Sequence, residues 1–140
     1  MKLNVNVFNA HPKRRVRTRE AVRYVRKALR SSDVDTARVS VVFVDSRRSR
    51  RLNSRYLGHD GATDVLSFTL ERMPLLEGEV YVNLDRARTQ ANEYGVSFSN
   101  EVARLIIHGT LHLVGFDDST KGKAQRMKAE EDRLLRLCFS

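Results

Sequence analysis

The chain has a single cysteine, Cys138, so no internal disulfide framework can form, and a reducing compartment is favoured. Cys138 lies near the end of an apolar helical pattern and reads as a core residue. Nowhere does an apolar run approach the roughly 18 residues of a membrane span. The N-terminal stretch Met1–Phe8 alternates apolar and polar residues, which is a strand pattern and not a signal-peptide core. Tryptophan is absent and aromatics are only 7% of residues, so an extended base-stacking platform is not expected.

Acidic residues are scarce in the first part of the chain. Residues 1–55 hold 16 Lys and Arg against 4 Asp and Glu, while the remainder holds 10 against 13. The net charge of +9 therefore comes from the N-terminal two fifths. The dense clusters are Lys13-Arg14-Arg15-x-Arg17 and the group Arg47, Arg48, Arg50, Arg51 and Arg55. Such a face attracts polyanions and raises encounter rates with them. Backbone contact to folded RNA fits this distribution, and DNA sequence reading does not. The 41% hydrophobic content suffices for one core in a chain of 140 residues, read as a single domain over 1–140.

The most specific stretch is Ile107-His108-Gly109-Thr110-Leu111-His112-Leu113-Val114-Gly115-Phe116-Asp117-Asp118. Residues four apart on an α-helix leave the same face, so His108 and His112 can converge on one metal ion. Gly115 ends the helix, and the returning chain brings Asp117 and Asp118 near the pair. Either carboxylate can be a third ligand. Two imidazoles and one acid, with a position left for water, have the composition of a hydrolytic metal site. The rest of this helix is apolar, and burying two imidazoles there costs free energy unless something satisfies them. Gly109 costs about 1 kcal/mol in a helix relative to alanine, which implies a close approach at that point. Gly109 also stands where the zinc proteases with His-Glu-x-x-His carry their glutamate base, so that reaction type is disfavoured.

This string resembles the signature H-G-x-L-H-L-x-G-[FY]-D-H of the YbeY family, metal-dependent endoribonucleases and rRNA maturation factors. Thr63-Asp64-Val65-Leu66-Ser67-Phe68 is similar to the family's T-[DN]-V-L-S-F segment, and Leu52-Asn53-x-x-Tyr56 and Gly78-Glu79-Val80-Tyr81-Val82 also resemble family segments. Two positions depart from the pattern. Asp118 stands where the family has a third His, and Leu57 where it commonly has Arg. The resemblance implies His108, His112 and Asp118 as ligands, with Asp117 in support, orienting an imidazole or capping the next helix. It also implies Zn2+ as the default cofactor, one ion per chain. The harder, anionic Asp118 makes Mn, Fe or Ni more compatible than in a three-His site and makes a bound water less acidic.

The implied function is a cytoplasmic, single-strand-directed, metal-dependent endoribonuclease maturing the 3′ end of small-subunit rRNA and acting in ribosome quality control. Its partners are then RNA and the small ribosomal subunit. Beyond the water such an ion activates, no base is evident; Asp64 and Ser67 are the remaining polar candidates, with Ser67 leaning to a small structural residue. Two other classes fit parts of the pattern: an iron oxygenase with a two-His, one-carboxylate site, and a non-enzymatic ribosome-binding factor with a structural metal. His59 is open to a turn or a cleft role, and His11 has no assigned role beyond the basic surface.

Periodicity predicts strands at Leu3–Phe8, Ala37–Val44, Thr63–Phe68 and Gly78–Leu84. Helices are predicted at Arg17–Leu29 with Thr18 as a candidate cap, at Arg47–Tyr56 capped by Asp45, and at Leu84–Glu93, Asn100–Val114 and Lys123–Leu137. Thr69–Glu77, with Pro74, reads as a loop. The expected fold is α+β, in mixed α/β layers: one compact domain with a small, about four-stranded central sheet flanked by helices, and the metal site at the end of a buried helix.

Overall fold

The structure, a computed structural model, describes residues 1–58 and 60–139. His59 therefore lies outside the described residues. Four strands form one sheet in the order β1-β2-β4-β3. They are β1 Lys2–Asn9, β2 Thr36–Val44, β3 Val65–Glu71 and β4 Leu76–Asn83. β1, β2 and β4 run parallel, and β3 closes one edge antiparallel to β4. The five helices are α1 Thr18–Leu29, α2 Ser46–Leu52, α3 Leu84–Tyr94, α4 Phe98–Leu113 and α5 Lys121–Phe139. This is the expected α+β layer architecture, built around a four-stranded sheet.

Alternation along the strands sets the layers. Val39, Val41 and Phe43 of β2 and Val80 and Val82 of β4 point to one face and are fully buried. That face receives α4. Ile106, Ile107, Leu111 and Leu113 of α4 are also buried, and helices α1, α3 and α5 surround it. A helix apolar on nearly all sides belongs in the middle of a core. Each such Leu or Ile contributes roughly 1.5–3 kcal/mol by leaving water. Because α4 is so firmly seated, the stripe it leaves uncovered is held rigidly.

Three local expectations are corrected. Thr18 is the first helical residue, not a cap; Arg17 takes the cap position and makes no side-chain cap bond. The chain entering α1 is fixed instead by Asn9, whose side chain accepts from Val16 N at 2.9 Å and donates to Val16 O at 3.2 Å. The expected Thr69–Glu77 loop is mostly strand, since β3 continues to Glu71 and β4 begins at Leu76. Cross-strand pairing supplies what the sequence pattern lacked: Phe68 faces Glu79 and Thr69 faces Gly78 in an antiparallel ladder. The expected single helix Arg47–Tyr56 is α2 followed by a π-helical turn, Asn53–Leu57, ending at Gly58 with φ +67°. Asp45 does cap α2, accepting from Arg48 N at 2.9 Å.

Candidate metal centre

α4 carries His108 and His112 on one face, four residues apart. Ser97 caps its start, accepting from Asn100 N at 3.0 Å. Its end closes in a Schellman turn: Gly115 N donates to His112 O at 3.2 Å and Phe116 N to Leu111 O at 3.0 Å. Gly115 adopts φ +105°, a conformation that suits glycine alone. This reversal returns the chain over the His face and delivers Asp118.

The two Nε2 atoms lie 3.1 Å apart, and Asp118 Oδ2 is 3.9 Å from each. All three candidate donor atoms fall within 4.8 Å of one another. A triangle of these sides has its centre about 2.1 Å from each corner, which matches zinc–nitrogen and zinc–oxygen bond lengths of about 2.0–2.2 Å. The donor set therefore fits a divalent transition ion. Among the described residues these two imidazole nitrogens have no hydrogen-bond partner on that side beyond each other; facing one carboxylate, they need such a cation or a proton between them.

Glu131 on α5 completes the arrangement. Its Oε2 lies 2.5 Å from His108 Nδ1, and its Oε1 accepts from Arg104 Nη1 at 2.9 Å. A carboxylate on Nδ1 fixes the tautomer that leaves Nε2 free to ligate. Burial alone would lower the pKa of His108, but the Glu131 bond and charge outweigh it and the pKa is raised. Among the described residues no carboxylate sits on the other side of the His112 ring; burial, then the His108 charge, push its pKa down, outweighing a backbone hydrogen bond at Phe116. An imidazole held neutral is ready to bind metal without first losing a proton.

Asp117 does not orient either imidazole. Its exposed carboxylate accepts from Ser119 N at 3.0 Å and Ser119 Oγ at 2.7 Å, and Lys123 Nζ stands 3.5 Å away. It shapes the turn before α5, while Glu131 makes the contact expected of it. Glu131 was missed in the sequence, yet a signal existed. It shares the buried stripe of α5 with Met127, Leu134 and Cys138, and a charged residue on a core-facing stripe needs a partner.

Two cavities flank the His face. One, of about 420 Å³, runs beneath Arg104, Glu101 and Glu131. The other, of about 450 Å³, opens along β3 beside Ser67 and Thr69. Asp64, His108 and Asp118 line both. Asp64 is thus brought to the His face from the loop preceding β3. Ser67 is beside the site but engaged: its hydroxyl donates to Gly109 O at 2.8 Å. Gly109 is explained by the same contact. A Cβ there would lie 2.5 Å from Val80 Cγ1 and 2.9 Å from Ser67 Oγ, so the close approach is that of the sheet, not of a ligand.

The arginines Arg47, Arg48, Arg50, Arg51 and Arg55 are all exposed, and among the described residues none forms an ion pair. α2 is pinned to the cleft: Ser49 Oγ donates to Thr63 O at 2.9 Å and accepts from Thr63 N at 3.1 Å, one residue before Asp64. Leu57 is exposed at the end of the π turn and lines neither cavity. His11 has a structural role that the sequence did not reveal. It is buried, its Nδ1 accepts from Lys13 N and Arg14 N, and its Nε2 donates to Asp85 Oδ1 at 2.8 Å. No helix among the described residues is long and apolar enough to cross a membrane.

A sheet-backed helix offering two imidazoles, met by a returning carboxylate beside open cavities, defines a metal-hydrolase type of centre. Comparison with known proteins gives the family. The model of the family described as endoribonuclease YbeY matches residues 6–138, and the chain belongs to that family. The endoribonuclease YbeY of Salinibacter ruber is 35% identical over 140 residues, spanning 94% of this chain and 89% of that protein. That of Desulforamulus reducens is 45% identical over 108 residues, 71% of each chain. The solution structure of TM1509 from Thermotoga maritima has the same fold, with TM-score 0.63 and 24% identity, covering 94% of this chain and 87% of that one.

Proposed function

We propose that this protein is a metal-dependent endoribonuclease of rRNA maturation, with His108, His112 and Asp118 as the ligands. Zinc is the ion the donor set favours first, with Mn, Fe or Ni admitted by the carboxylate. The substrate proposed is the 3′ end of small-subunit rRNA, in the cytoplasm, with a further part in ribosome quality control. The observation that carries the reading is the convergence of the three donor atoms at one point between two open cavities.

A divalent ion bound there supplies Lewis acidity toward a phosphoryl oxygen and lowers the pKa of a water. The chain's own residues do the rest. Glu131 holds His108 in its ligating orientation. Asp64, which lines both cavities, would take a proton from the attacking water or ribose hydroxyl. The arginines of α2 hold flanking phosphates without reading bases.

The test is metal analysis of purified protein together with RNA cleavage by wild type, His112→Ala and Asp118→Ala. Both variants should lose bound metal and cleavage. If neither substitution changes metal content or cleavage, the ligand assignment fails.

A further inference from the structure

The helix α4 packs on the sheet face that carries Gly78, Val80 and Ser67. The opposite face is open only in part: Val44 and Leu66, which alternation and register put on it, are buried, while other positions are exposed. Register sets one cross-strand row on it: Phe8 pairs with Val42, Val42 with Tyr81, and Tyr81 with Leu66. Phe8 is 54% exposed, and Val42, Tyr81 and Phe68 are only half-buried. Phe68 meets Tyr81 edge-on at 5.8 Å between ring centroids and meets Tyr56 at 5.7 Å. Tyr56 itself is 58% exposed. The chain has ten aromatic residues, and the fold gathers four of them here.

Cations border this surface. Arg55 lies 5.6 Å from the centroid of Tyr56. Arg48 donates to Ala10 O at 2.7 Å, just beyond the end of the strand that carries Phe8. Glu79 sits among these rings, paired with Phe68 and accepting from the Tyr81 hydroxyl at 3.2 Å, and Glu77 beyond it is paired with Arg38, so a polyanion's phosphates are directed to the arginine side. β3 is also one of the two edge strands of the sheet. Its Leu66 and Phe68 belong to the open face, while Val65, Ser67 and Thr69 line the cavity beside His108 and His112.

We propose that the open part of this face, against the expectation from the low aromatic content, is a small stacking platform for the bases of a single-stranded RNA segment. Its backbone follows the arginines of α2, and the strand rounds the β3 edge into the metal cleft. The inference rests on the endoribonuclease reading above and adds where the substrate lies away from the scissile bond. Neutral aromatic rings flanked by guanidinium groups suit single strands, because every base has a π-face and unpaired bases can be splayed onto them. A duplex buries those faces and gains only the phosphate contacts.

The experiment is fluorescence anisotropy with a short fluorescein-labelled single-stranded RNA and a duplex of the same length. Binding is measured in EDTA, so that cleavage does not intervene. Tyr56→Ala and Phe8→Ala should each weaken single-strand binding about fivefold to thirtyfold and leave duplex binding unchanged. Tyr56→Phe should retain wild-type affinity. Unchanged single-strand affinity in both alanine variants overturns the proposal, as does an equal loss for the duplex. Sedimentation supplies the rival outcome: a dimer dissociated by Phe8→Ala, with RNA affinity retained, would assign the face to a second copy of the chain. Because the measurement needs no metal, failure of the ligand assignment and failure of the platform are read separately.

Discussion

Glu131→Gln isolates how the second carboxylate supports the metal site. The carboxylate is 6% exposed and accepts on both oxygens, from His108 Nδ1 at 2.5 Å and from Arg104 at 2.9 Å. Glutamine has nearly the same shape but offers one acceptor and one donor, so it cannot serve both. Arg104 keeps Asp132 Oδ1 at 2.6 Å, and the fold should survive with a loss of about 1–2 kcal/mol. His108 loses its fixed orientation and part of its basicity. Loss of such an outer contact weakens metal binding about 10- to 100-fold, or roughly 1.4–2.7 kcal/mol. Competition with a chromophoric zinc chelator measures that change, with thermal unfolding as the check on the fold. In the metal-free variant, burial should dominate and the His108 pKa should fall, which an NMR titration of the imidazole reads directly. Zinc affinity within twofold of wild type, in a folded variant whose His108 titration has not moved, would refute the reasoning.

Other perturbations test neighbouring parts of the argument. Gly109→Ala gains about 1 kcal/mol of helix propensity and loses about 1–3 kcal/mol by overpacking against Val80 and Ser67, so urea unfolding should show a net loss of up to about 2 kcal/mol. A stabilised variant would mean that the sheet does not press there. Glu101 is buried, and burial raises its pKa above the ordinary 4.5. The folded state thus holds this proton more tightly than the unfolded state; the stability it contributes is full below about pH 4.5 and lost as pH rises through the folded pKa. Glu101→Gln, whose amide oxygen can still accept from Gln90, should therefore raise Tm at neutral pH and flatten the pH dependence of Tm above 4.5. Chelation should leave the far-UV CD spectrum folded, because α4 is held by its apolar contacts. Saturating zinc should then add about 2.7 kcal/mol at a hundredfold excess over its Kd. Unfolding on chelation would favour the structural-metal reading.

Some features were legible because they are local. The His108–His112 spacing, the Gly115 reversal and the Asp45 cap follow from backbone geometry within a few residues, and each appears where periodicity puts it. The parallel strands were legible from their own patterns, alternation of apolar and polar residues in β1 and β4 and a richness in β-branched residues in β2. The second half of β3 was not, because Thr69-Leu70-Glu71 carries no strand pattern of its own and is strand only through pairing with β4.

The sequence by itself determined which residues can bind a cation, their order along the chain and the charge asymmetry that favours a polyanion, since these depend on residue type and short-range spacing alone. Tertiary structure decided what lies across from each of them. It set Glu131 against His108, Asp85 against His11 and Ser67 against Gly109, partners 23, 74 and 42 residues apart. It also gathered scattered aromatics onto one sheet face. Contacts at such separations exist only once sheet register and helix packing are fixed, and those are set by the burial of the whole core.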